Sequence, residues 1–206
     1  IVKLRDGTVG SVTIGGTVSP AGGNFDEPVT QATLKVVGAF LGLSRERSNA
    51  RRYPAIHPLE SWSKYWSIIK SEDLKLAQKI LKDGNDIAQM MKVVGEEGTS
   101  IDDFVMYLKS EYLDAVYMQQ NAFHAVDGAV SAERQRYIFN KIVKTFGTKM
   151  AFHSKDEART FFQILIQKTK DWNYMAMESD EFQKIEAELD KMIGEVAKNA
   201  QNIQEN

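Results

Sequence analysis

From Leu59 onward, apolar residues recur at helical spacing, and this periodicity restricts the chain to a mainly α fold more than any other feature. Ile101, Phe104, Val105, Leu108 and Tyr112 form one apolar stripe, with Ser100 before it as an N-cap. Ser131 stands in the same relation to a helix carrying Ile138, Ile142 and Phe146. Ser154 and Glu157 have capping-box spacing ahead of Phe161, Phe162, Leu165 and Ile166. A last helix is predicted from about Asp180, with Phe182, Ile185, Leu189, Met192 and Val196 on one face and a fraying polar end at 199–206. Nearer the start of this region, a helical stretch from Leu59 to about Lys82 is expected to break at Asp83-Gly84-Asn85. A short apolar face, Ile87, Met90, Met91 and Val94, then precedes Gly95-Glu96-Glu97-Gly98.

The preceding residues read differently. In 1–17, Val2 and Leu4 alternate with Lys3 and Arg5, Asp6-Gly7 is a hairpin dipeptide, and Ser11 to Ile14 resumes an extended pattern. Ser19 to Pro28 is dense in turn formers, and its acids with Pro28 signal a helix start. Leu34, Val37 and Leu41 continue at helical spacing, beside Val36 and Phe40, before a loop rich in Arg and Ser. The expected architecture is a β-hairpin, loop and helix over 1–57, forming the edge of an α/β nucleotide-binding domain, then a helical bundle over 58–206. Two short strands are marginal alone, and an opening at Ile1 inside a strand suggests a piece of a longer polypeptide.

Composition excludes more than it selects. The chain has 206 residues, a formal net charge of -2 and no cysteine. Disulfides, thiol nucleophiles and cysteine-bound metals are therefore excluded, and a reducing compartment fits. Charges of both signs are interleaved, so nucleic acid is not an expected partner. No stretch approaches the roughly 20 apolar residues that span a bilayer, so direct membrane insertion is not expected.

The search for reaction chemistry is largely negative. No G-x-x-x-x-G-K-[ST] loop is present to cradle phosphates, and Gly147-Thr148-Lys149 has the wrong order. Gly15-Gly16 and Gly22-Gly23 lack the third glycine and the βαβ context of a dinucleotide fingerprint. His57, His124 and His153 are scattered without metal-ligand spacing, so no metal site is expected. Glu96-Glu97 and Asp102-Asp103 read first as a solvated connection with helix-starting acids.

Four segments resemble one family in the right order. Ser19 to Thr30, SPAGGNFDEPVT, resembles the SPPGGDFSEPVT segment of V- and A-type rotary ATPase catalytic subunits. Arg52 to Ser61, RYPAIHPLES, is similar to the segment that enters their C-terminal domain. Val94 to Asp103, VGEEGTSIDD, lies where that family has its rotor-facing turn, and Gln119 to Asp127, QQNAFHAVD, resembles its QQNAF-x-x-VD segment. The resemblance covers residues from about Ser11 to Phe146; beyond that only helical character agrees. Ala21, Asn24 and Asp26 depart from the usual pattern, and YPAIHPL is nearer the YPAVDPL of F-type β subunits. SPAGGNFDEPVT and QQNAF nevertheless weigh against an F-type β subunit.

The resemblance implies an adenine pocket built from Tyr53 and Phe123, two aromatics that would otherwise be taken for core residues. Gln119, Gln120 and Asn121 either give polar contacts near the base or ribose or cap the helix that ends there. The loop of Glu96, Glu97, Asp102 and Asp103 would press on the central shaft, and Ser19 to Pro28 would be a structural, conformationally coupled loop. The implied activity is ATP hydrolysis or synthesis coupled to rotation and H+ or Na+ transport, with ATP or ADP and Mg2+ as ligands of the intact subunit. The implied partners are B subunits alternating in a hexameric ring and the central stalk, in a cytoplasmic head peripheral to the membrane. No catalytic residue is expected in this stretch, because phosphoryl transfer needs a loop Lys and Thr, an Mg2+ environment and a water-activating Glu from elsewhere. The isolated piece is expected to be inactive and to carry no bound cofactor. The competing expectation is a stand-alone helical interaction module with no nucleotide role.

Overall fold

The computed structural model describes residues 2–65 and 68–204. Contacts divide the chain into two compact units, Ile1–Phe40 and Leu41–Asn206. Residues 41–61 are tied to one another and, through Arg47 and Arg52, to Asp114 in the helices that follow. His57 N–H donates to the Gly42 carbonyl (2.7 Å), Ser44 N–H to the Ala55 carbonyl (2.8 Å) and Gly42 N–H to the Ser61 hydroxyl (3.0 Å).

In the first unit, β1 (Val2–Lys3) pairs antiparallel with β2 (Val9–Gly10), closed by Asp6-Gly7 with Gly7 at φ 90°. The hairpin is shorter than its pattern predicts: no strand forms over Ser11 to Ile14, and Val12 and Ile14 are each 89% exposed. Gly22 and Gly23 take left-handed φ of 65° and 77° in the turn that follows. α1 (Pro28–Val36) begins with Pro28 in its first turn, as expected. It stops before Val37, so the stripe to Leu41 is not helical; a β-branched pair followed by Gly38 favours extended backbone, and β3 (Ala39–Phe40) follows.

The second unit begins with α2 (Arg45–Asn49), capped by Ser44, whose hydroxyl accepts from Arg47 N–H (3.2 Å). Five residues are too few to show a period, which is why the stretch reads as loop. After it, Leu59 to Lys70 is not helical and holds only β4 (Trp62–Ser63) among its described residues. The helix starts at Ser71, and α3 (Ser71–Val94) then runs unbroken through Asp83-Gly84-Asn85. Gly84 is buried against the next helix, where an added Cβ would lie 2.2 Å from Ser110 Cβ. This glycine is thus a point of close helix approach, not a breaker.

α4 (Ile101–Leu113) runs into a π-helical turn, Asp114–Met118. α5 (Ala132–Gly147), α6 (Lys155–Tyr174) and α7 (Asp180–Gln204) complete seven α-helices among the described residues, so the mainly α expectation holds. Ser100, Ser131 and Ser154 accept from the N–H of Asp103, Arg134 and Glu157, satisfying donors that the first helical turn leaves unpaired. α7 stays helical to Gln204 through most of the stretch expected to fray; 205–206 lie outside the described residues. The apolar faces of these helices meet at Phe104, Leu113, Ile142, Ala158, Phe162, Leu165 and Trp172, each at most 2% exposed. Trp172 stacks on Phe182 with ring centroids 4.7 Å apart.

Candidate functional site: an aromatic-lined cavity beside the π turn

Tyr53 and Phe123 line a single open cavity of about 340 Å3 in the second unit. Neither is a core residue: Tyr53 is 53% and Phe123 fully exposed. An exposed aromatic face costs solvation unless something covers it, and a nucleobase offers a matching π surface.

The two rings come from distant stretches joined by backbone. Gln120 N–H donates to the Tyr53 carbonyl at 2.9 Å. The 119–128 turn is then fixed by its own polar groups. Gln120 Nε2 donates to the Asp127 carbonyl (2.6 Å), Asn121 N–H to Asp127 Oδ2 (2.6 Å) and Phe123 N–H to Asn121 Oδ1 (3.1 Å). Gly128 completes it, since a Cβ there would lie 2.8 Å from the His124 carbonyl oxygen. The side chains of Gln120 and Asn121 therefore organise the turn that presents Phe123, and neither caps the helix before it; Gln119 N–H returns to the Asp114 carbonyl through backbone alone (3.0 Å).

The far wall comes from α6: Lys170, Asn173 and Tyr174. Asn173 Nδ2 donates to the Val116 carbonyl (2.6 Å) and the Tyr174 ring lies 4.3 Å from that of His124. Sequence reasoning assigned none of these three, because a helical period identifies a face but not the cavity it lines. Arg51, also on the wall, takes φ 55°, a left-handed backbone rarely used by a side-chain-bearing residue.

A second cavity, of about 240 Å3, is lined by a cluster of arginines and carboxylates that the sequence does not single out: Arg47, Arg52, Glu111 and Asp114. Asp114 is 5% exposed and its two oxygens take one arginine each: Oδ1 accepts from Arg47 and Oδ2 from Arg52 (2.7 Å). Arg52 also forks onto Glu111 through Nη2 (2.6 Å) and Nη1 (3.2 Å). The Glu111 hydrogen bond holds the Arg52 guanidinium further above its ordinary range, so the group is a permanent cation.

Glu96 and Glu97 lie on the connection between α3 and α4, and Asp102 and Asp103 in the first turn of α4, none of them in the lining of the aromatic cavity. Gly95 takes φ 77° to end α3. Glu96 pairs with Arg159, and Lys155 Nζ donates to the Glu96 carbonyl (2.5 Å). Asp103 Oδ2 accepts from the Ser100 hydroxyl (2.8 Å), so this acid belongs to a helix cap. Among the described residues no group of three His, Asp or Glu side chains could hold a metal ion, and no helix is long and apolar enough to cross a membrane.

Residues 2–63 match the nucleotide-binding domain of the ATP synthase alpha/beta family. Residues 74–157 match the C-terminal domain of V and A type ATP synthase. A V-type ATP synthase alpha chain from Treponema denticola is 61% identical over 197 residues, 96% of this chain and 33% of that protein. One from Borrelia turicatae is 58% identical over 193 residues, 94% of this chain and 34% of that protein. The chain thus spans about a third of the length of these curated relatives, and the similarity extends well past Phe146, where the sequence resemblance was expected to end. Among solved structures, an ATP synthase subunit, NeqB, from Nanoarcheaum equitans matches 61% of this chain and 34% of its own, with TM-score 0.51 and 20% identity. At that identity the likeness concerns the fold alone.

Proposed function

Because the chain belongs to the V and A type ATP synthase family, we propose that it forms part of the catalytic alpha subunit of a V-type rotary ATPase. In this reading the whole subunit couples ATP hydrolysis or synthesis to rotation and to transport of H+ or Na+. Residues 1–57 belong to its nucleotide-binding part and 58–206 to its helical part, a division supported by family matches that end at 63 and resume at 74.

The observation that carries the reading is the convergence of Tyr53 and Phe123, both exposed, on one cavity. The adenine of ATP packs against these faces, while Gln120 and Asn121 hold the turn beneath it. A stacked base is worth about 1–3 kcal/mol. The phosphates lie elsewhere, since this chain has no phosphate-binding loop. Mg2+ accompanies the nucleotide in the intact subunit, but the carboxylates described here do not converge as such a site requires. On this account the piece alone neither hydrolyses ATP nor binds it tightly. B subunits alternate with it in a ring, and the loop at Glu96, Glu97, Asp102 and Asp103 faces the central stalk, in a soluble head on the cytoplasmic side.

The test is made in the full-length subunit. Tyr53→Ala and Phe123→Ala are each expected to weaken ATP binding by about tenfold, one stacked base being worth that much. Unchanged affinity in both variants overturns the assignment. A free-standing interaction module, by contrast, has no reason to present two exposed rings to one cavity.

A further inference from the structure

We infer that Asp114 is the positioning residue of the adenine cavity, holding the segment that carries Tyr53 against the turn that carries Phe123. The inference rests on the adenine assignment above. Asp114 is buried, follows the last residue of α4, and is the first residue of the π turn. Its carboxylate takes Arg47 on one oxygen and Arg52 on the other. Arg52 immediately precedes Tyr53, so the charge pair lies one residue from the ring. The Asp114 carbonyl accepts from Gln119 N–H (3.0 Å), and Gln120 N–H then reaches the Tyr53 carbonyl (2.9 Å). One residue thus grips the Tyr53 segment through its side chain and starts the Phe123 segment through its backbone.

The local chemistry fits a positioning role rather than simple packing. A buried carboxylate is tolerated only when paired, and here both partners come from one short stretch, which fixes that stretch in two places. Arg47 Nε and Nη2 are buried without hydrogen-bond partners, and among the described residues Asp114 is the carboxylate that pairs with this guanidinium. The Val116 carbonyl lies in the last turn of this segment, where helices leave carbonyls unpaired, and accepts from Asn173 Nδ2.

The experiment uses the assembled complex containing the full-length subunit, comparing ATP with ribose 5-triphosphate, which lacks the base. Asp114→Asn is expected to raise KM for ATP about tenfold with kcat within about twofold, and to leave KM for ribose triphosphate unchanged. Arg52→Gln, at a side chain 34% exposed, should give the same pattern more weakly and carries the test if Asp114→Asn does not assemble. Equal KM increases for both substrates, or no increase for ATP in either variant, overturn the inference. Tyr53→Ala and Phe123→Ala are run beside them. If these raise KM for ATP alone while the Asp114 and Arg52 variants do not, only the positioning role fails. If the aromatic variants are also silent, the adenine assignment fails and the positioning role with it.

Discussion

Gln120 N–H donates to the carbonyl oxygen of Tyr53 at 2.9 Å, which sets the start of the QQNAF segment directly on the residue before Pro54. A backbone bond between these stretches means that the two aromatic faces are placed by main chain and not by their own packing. The rings are therefore free to serve a ligand.

That freedom has a consequence for stability. Phe123 is fully exposed, so Phe123→Ala is predicted to change the unfolding free energy of the chain by less than about 0.5 kcal/mol. Phe162, 1% exposed, should cost about 3–5 kcal/mol when truncated to Ala. Urea unfolding monitored by circular dichroism separates the two. A loss at Phe123 comparable to that at Phe162 would place its ring in the core.

The sequence announced the helices better than their joints. Ser100, Ser131 and Ser154 were legible as caps because a hydroxyl at that spacing has one local job, and the structure shows it done. Tyr53 and Phe123 were legible through the segments around them. Gly84 reads locally as a breaker, but its role depends on Ser110 of the facing helix, which no local pattern encodes. Arg47, Arg52 and Asp114 were missed for the same reason: charged residues read as solvated until a fold brings opposite charges together. Lys170 and Asn173 line the cavity from a helix whose spacing reports only which face is apolar.

Gly84 offers a direct check on the close approach of α3 and α4. In an exposed helix, Gly→Ala stabilises by roughly 0.5–1 kcal/mol. Here the new Cβ would sit 2.2 Å from Ser110 Cβ, so the helices must move apart. Gly84→Ala is predicted to lose about 1–3 kcal/mol by overpacking, and Ser110→Gly in the same chain should recover part of that loss. A gain in urea midpoint for Gly84→Ala alone would show that the helices are not in tight contact.

Tyr112 predicts an alkaline weakness. Burial pushes its phenol up to about 12, while its hydroxyl lies 3.2 Å from Thr169 Oγ1. An unfolded tyrosine ionises near pH 10, so above that pH the unfolded chain releases a proton that the folded chain keeps. This stability is fully present below about pH 10 and is lost as pH rises toward about 12, amounting to about 3 kcal/mol across the window. Tyr112→Phe should flatten the decline while costing about 1 kcal/mol at neutral pH through the lost hydrogen bond. An unchanged alkaline slope in the variant would show that Tyr112 is not its source.

The acids between the end of α3 and the first turn of α4 divide into two kinds of residue, and the division predicts different phenotypes. Glu96 is paired with Arg159, whose guanidinium also lies 5.2 Å from the Phe104 ring centre, and Asp103 caps α4 with Ser100. Glu97 and Asp102 enter no ion pair among the described residues and present their charge outward. Exposed pairs contribute little to stability, so the Glu96–Arg159 pair adds little to the fold. In the assembled complex, Glu97→Gln with Asp102→Asn is predicted to lower ion transport per ATP hydrolysed at unchanged KM, because on the proposed assignment those charges are the ones left to meet the central stalk. Glu96→Gln with Asp103→Asn should instead lower the melting temperature slightly and leave coupling intact. The measurement is proton or sodium uptake against phosphate release in the same vesicles. Normal coupling in the Glu97/Asp102 variant, or uncoupling confined to the Glu96/Asp103 variant, would show that the loop's outward charges do not meet the shaft.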